Sequence, residues 1–279
     1  MKKFFRITTK EMRYGFGSPK FWGTVVTLAV LMLIDTLPLL YAGRTVDAAG
    51  NASFRTDILT LSLMTATGAG YIFYLRFCMY VIPYGCTFAE EFGQSAAKYR
   101  ITRSSGRVYG AAKFATGILL TAAAIFAAEI LFTLILKAQG VTYLLPQESE
   151  YDANYYLYKL VGEGHVGLFF LLLCFYKCLP GMFFAAMTMM LSAFIRNKFI
   201  LVAMPVTLFF GVTSFCAILF PYGEEPFWAS WHLLFFDMST GTAGTEAAAV
   251  ARTAIYTGVG ILLFCVIFIR KVRRVVENE

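Results

Sequence analysis

Six long apolar stretches separated by polar connections set the organisation of this chain: 21–42, 58–84, 114–136, 166–195, 199–220 and 247–269. A helix needs about 20 mostly apolar residues to cross the hydrocarbon core of a bilayer. The first five meet or nearly meet that length, and the sixth does so if Ala247–Val250 extend it while Arg252 snorkels to the interface. None shows the ten-residue alternation of a membrane β-barrel strand. The pattern predicts an all-α integral membrane protein with six spans in residues 21–279. Residues 1–20 are different: Phe5, Met12 and Phe16 fall on one helical face among basic residues. They predict an amphipathic helix lying along the inner leaflet, ended by Gly15, Gly17 and Pro19.

Composition agrees. Hydrophobic residues make up 58% of the 279 and charged ones 15%, and the mean hydropathy is +0.65. Soluble domains carry roughly 25% charged residues, so a disordered chain or a soluble nucleic-acid binder is excluded. The net charge of +7 is a topology signal, since Lys and Arg accumulate on the cytoplasmic side. Lys2, Lys3, Arg6, Lys10, Arg13, Lys20, Lys98, Arg100, Arg103, Arg107, Lys113, Arg196, Lys198, Arg270, Lys271, Arg273 and Arg274 fall on one face. Only Arg44, Arg55, Lys137, Lys159 and Arg252 fall on the other. Both termini and the second and fourth connections are therefore expected in the cytoplasm. No cysteine falls in an outward connection, so structural disulfides are not expected.

Four charges stand inside spans: Asp35, Arg76, Glu129 and Lys177. Each costs about 2.5–3.5 kcal/mol at mid-helix, so such residues pair or face a wet cavity. At about 1.5 Å of rise per residue, Asp35, Glu129 and Lys177 share a depth in the outer half. A Lys177–Glu129 pair is expected to fix helix packing, with a substrate path as the alternative. Arg76 is expected deeper, near Glu11 or Glu90.

Catalytic signatures are missing: no phosphate loop, no H-E-x-x-H and no G-x-S-x-G occur. With only His165 and His232, a histidine metal site is not expected. The second connection carries the most information, with Glu90 and Glu91 opening it and Arg100, Arg103, Arg107 and Lys113 following. A short helix over 89–99 would set both acids in its first turn, where the macrodipole favours them, and turn its bases toward a partner. A solvated connecting loop is the plainer alternative. In the last outward connection, Pro221, Gly223 and Pro226 precede an aromatic cluster of Phe227, Trp228, Trp231, Phe235 and Phe236.

This order of features resembles the type-2 ABC exporter permeases, the membrane subunits of ATP-driven exporters. Glu91, Arg107 and Lys113 match the spacing of that family's motif between spans two and three; Ser95-Ala96 replaces its Gly-Thr turn and Gly106 its Ser. The resemblance implies an elbow helix at residues 1–20, a coupling helix between spans two and three, and a re-entrant segment around the aromatic cluster. It implies a bacterial plasma-membrane dimer, of two copies or of this chain with a related permease, bound to two ATPase subunits. Those subunits would hold ATP and Mg, and this chain would carry no cofactor. Glu90, Glu91, Arg100, Arg103, Arg107 and Lys113 would face the ATPase. An apolar or amphipathic substrate, peptide or lipid-like, would suit a Phe- and Met-rich path better than a sugar or an ion. A secondary transporter, or a membrane scaffold without an ATPase, is the alternative.

Overall fold

The computed structural model describes residues 2–42, 44–46, 52–54, 56–67, 73–93, 101, 105–143, 164–219 and 246–277. Helices dominate them: α1 (Lys2–Phe16), α2 (Pro19–Ala42), α3 (Ile58–Thr67), α4 (Phe73–Val81), α5 (Thr87–Gly93), α6 (Gly106–Ala138), α7 (Val166–Ser192), α8 (Lys198–Leu219) and α9 (Glu246–Glu277). A small antiparallel ribbon, β1 (Arg44–Val46) with β2 (Ala52–Phe54), follows α2.

The helix ends follow their sequences. Ser18 caps α2, its Oγ accepting the Lys20 amide at 3.2 Å, and Pro19 takes the first helical position, where its missing N–H costs nothing. Asp57 caps α3 in the same way, accepting the Thr60 amide at 2.7 Å. Helix α6 ends in a Schellman motif. Gly140 has φ 89°, and the amides of Gly140 and Val141 reach back to Lys137 and Leu136. Val141 and Leu136 then pack in one apolar cluster.

Among the described residues, four helical stretches are long and apolar enough to cross a membrane: Pro19–Ala42, Gly106–Ala138, Val166–Ser192 and Thr253–Arg274. Their outer surfaces carry Val26, Val30, Leu119, Ile130, Leu171, Phe175, Val259, Leu262 and Leu263, all exposed, whereas Arg76, Lys113, Glu129 and Lys177 are buried. That distribution inverts a water-soluble fold and suits helices solvated by lipid. This is a multi-pass membrane protein. Helices α3 and α4 both fall within the second expected stretch, of which residues 68–72 lie outside the described residues, and the fifth coincides with α8. The third and sixth lie within the longer α6 and α9, so Arg107 and Lys113 belong to α6 itself.

Long α6 is the axis, packed against α1, α2, α7 and α9. In lipid, apolar burial gives little drive for helix association, so close packing through small residues has to supply it. Ala112, Ala124 and Ala128 lie fully buried along α6. Gly15, expected to end α1, lies within it, and a Cβ there would come 2.2 Å from Leu120 Cδ1. It is therefore a close-approach position between α1 and α6. At the end of the bundle carrying α1, Phe268 of α9 stacks edge-on with Phe88 at 5.0 Å and lies 5.8 Å from Phe114. The Gly106 backbone lies beside Arg273 at the same end. Helices α1 and α9 thus both pack on α6 toward one end, and the ribbon marks the other.

Candidate functional site in two polar clusters

The four charges expected inside spans form one linked cluster. Lys177 Nζ on α7 donates to Glu129 Oε2 on α6 at 2.7 Å and to Thr65 Oγ1 on α3 at 2.7 Å. Arg76 Nη1 on α4 donates to the Thr65 carbonyl at 2.6 Å, and Nη2 pairs with Asp35 on α2. The guanidinium thus bonds a backbone carbonyl of α3 while its charge meets a carboxylate. Five helices are bound at one point.

The Lys177–Glu129 pair is present as expected, but Arg76 reaches Asp35 rather than Glu11 or Glu90. Counting rise along 58–84 set Arg76 deeper than Asp35; residues 68–72 of that stretch lie outside the described residues, and the ion pair brings the two side chains to one level. Glu129 Oε1, Thr133 Oγ1 and Ser62 Oγ are fully buried and lack hydrogen-bond partners among the described residues. Helices α3 and α6 run antiparallel, since the Ile58 amide meets the Thr142 carbonyl at 3.0 Å. Ser62 and Thr133 therefore both stand one turn from the charge cluster toward the ribbon.

The second cluster lies at the α1 end. Buried Lys113 on α6 donates to Glu91 of α5 at 2.5 Å and to Glu11 of α1 at 3.1 Å. Its ammonium lies 4.7 Å above the Tyr84 ring. The Tyr84 hydroxyl donates to Glu11, and the Tyr109 hydroxyl to Glu91 at 2.5 Å. Beside this, Glu90 accepts Lys20 at 2.7 Å and lies 3.2 Å from Lys198, joining α5 to the starts of α2 and α8. Burial pushes the Glu90 carboxyl up, but hydrogen bonds and charge from Lys20 and Lys198 outweigh it and hold the group below its ordinary value. Burial, with Glu90 nearby, raises the Cys86 thiol to about 11, so it is protonated at neutral pH.

Of the residues expected to face an ATPase, Glu90, Glu91 and Lys113 therefore turn inward and fasten α5, while Arg107 is exposed. Arg100, Arg103 and the aromatic set Phe227, Trp228, Trp231, Phe235 and Phe236 lie outside the described residues, as does the span 94–99 of the expected short helix. Among the described residues, no three His, Cys, Asp or Glu side chains gather into a metal site. Sequence reading missed Thr65, Tyr84 and Tyr109, whose hydroxyls sit in apolar runs with nothing to mark them. It also missed Lys20 and Lys198, which read only as topology charges.

No protein-family model, characterised protein or solved structure matches this chain.

Proposed function

We propose that this chain is the membrane subunit of an ATP-driven exporter, moving an apolar or amphipathic substrate while a separate ATPase pair supplies the energy. The observation that carries the reading is the clamp around α5. A short helix between two longer elements is tied by Glu91–Lys113–Glu11 to α6 and α1, and by Lys20–Glu90–Lys198 to α2 and α8. A push on α5 would reach four other helices without bending any of them. Six spans, an elbow role for α1, cytoplasmic termini and a dimeric assembly belong to the same reading. Helix α1 supports the elbow role by lying against α6 with its basic side chains exposed.

The test separates docking from fastening. Arg107 is exposed, so Arg107→Glu should leave the melting temperature unchanged and lower ATPase-coupled transport at least tenfold. Glu91→Lys should instead destabilise the protein, because it faces buried Lys113 with a second cation. Coupled transport unaffected by Arg107→Glu would remove Arg107 from the docking surface. Failure to co-purify with any ATPase subunit from native membranes would overturn the proposal.

A secondary transporter is the second reading, favoured by the linked charges Asp35, Arg76, Glu129 and Lys177 inside the bundle, since ionisable residues within a membrane mark ion and substrate pathways. Substrate uptake by the chain alone in proteoliposomes under an ion gradient would decide for it.

A further inference from the structure

The turn between α1 and α2 holds an open pocket of about 480 Å³, lined by Lys10, Arg13, Tyr14, Gly17, Ser18 and Pro19. Three features give it a chemistry. First, Lys10 and Arg13 are exposed and neither forms an ion pair among the described residues, whereas neighbouring Lys20 is engaged by Glu90. Second, Ser18 Oγ accepts the Lys20 amide and keeps its own proton to donate. Third, the surroundings are built for an interface: Tyr14, Phe16 and Trp22 are exposed, and the Trp22 indole donates to the Phe16 carbonyl at 2.9 Å.

The helical wheel explains the arrangement. At 100° per residue, Lys2, Lys3, Arg6, Lys10 and Arg13 share one face of α1, opposite Phe4, Thr8, Glu11 and Gly15. Glu11 and Gly15 are buried on the α6 side, and Phe5 and Phe16 lie on a flank between the two faces. Helix α1 thus turns its cations away from the bundle and sets an apolar flank beside them. An anion entering the pocket would meet a guanidinium, an ammonium and a hydroxyl donor at the level where the first span leaves the surface.

We infer that this pocket binds the phosphate headgroup of an anionic phospholipid, whose acyl chains run down beside Trp22 and Val26 of α2. Charge complementarity and the exposed aromatic rim favour a lipid over a soluble anion. The inference stands apart from the exporter reading.

Trp22 serves as the reporter. With Trp228→Phe and Trp231→Phe it becomes the single tryptophan of the full chain. The protein is reconstituted in phosphatidylcholine vesicles containing brominated phosphatidylglycerol, or in matched vesicles in which phosphatidylcholine carries the bromine. Phosphatidylglycerol should quench Trp22 preferentially. Lys10→Gln with Arg13→Gln should reduce that preference roughly fivefold or more, since each cation near an anionic surface contributes about a fivefold change. Lys2→Gln with Lys3→Gln removes the same charge from the far end of α1 and should change it less than twofold. Lys10→Arg with Arg13→Lys should keep it. Equal quenching by the two lipids in the parent, or equal losses in the two Gln double variants, would overturn the site. Inorganic phosphate at constant ionic strength should leave the quenching unchanged; relief of quenching would assign the pocket to free phosphate and overturn the lipid.

Discussion

Replacing Lys177 by Met tests whether the buried charges hold the bundle together. The ammonium is 5% exposed and Glu129 is fully buried, with 2.7 Å between them. Lys177 also donates to Thr65, so the change removes two hydrogen bonds together with the ion pair. Glu129 Oε1 already lacks a partner among the described residues, so Lys177→Met leaves a buried carboxylate stripped on both oxygens. Breaking a buried pair from one side costs about 3–5 kcal/mol. For a chain of this size about 1 kcal/mol moves the melting temperature by roughly 2–4 °C, which places the variant roughly 6–20 °C below the parent. Adding Glu129→Gln removes the charge and leaves an amide able to bond Thr65. The double variant should recover at least half the loss, giving a coupling energy of about 2 kcal/mol or more. Buried Cys174 and Cys178 provide the assay, through the temperature at which a maleimide dye reaches them in detergent. If both single variants melt with the parent and only transport changes, the charges line a path and do not hold the helices. If the double variant loses the sum of the two single losses, the pair is not coupled.

Arg76→Gln should destabilise by about 3 kcal/mol or more, since it strips Asp35 of its counter-charge and the Thr65 carbonyl of its guanidinium. Asp35→Asn in the same chain should restore only part of this, because the Thr65 carbonyl stays without its guanidinium; full restoration would refute a role for that contact. The Glu90 clamp should be sensitive to acid. Its folded carboxyl titrates below its ordinary value, so its contribution is present above the ordinary glutamate range and is lost as the pH falls through the lower, folded value. Parent and Glu90→Gln melting curves should therefore converge below about pH 4; a constant gap from pH 7 to 3 would show that the charge contributes nothing.

Pattern alone determined the solvent of this protein. Apolar runs of the length of a bilayer and few charges point to lipid, because a chain this apolar carries too little polar surface to cover itself in water. Pattern also placed α1 as an amphipathic helix, and shared depth paired Lys177 with Glu129, since rise per residue is fixed within an unbroken helix. The same reckoning failed for Arg76, which reaches Asp35 on α2, because depth counted along one stretch says nothing of how that stretch is tilted or offset against its neighbours. Gly15 read as a helix end because glycine is punctuation in isolation, yet against α6 it is the residue that lets two backbones approach. The inward turn of Glu90, Glu91 and Lys113 could not be read either. Their spacing fits a solvated docking face and a buried clamp equally, and the choice lies with Glu11, Tyr84, Lys20 and Lys198, which only the folded chain brings to them. Local sequence fixes what a residue can offer. Which partner takes the offer depends on side chains up to 112 positions away, as between Thr65 and Lys177, and tertiary packing alone decides it.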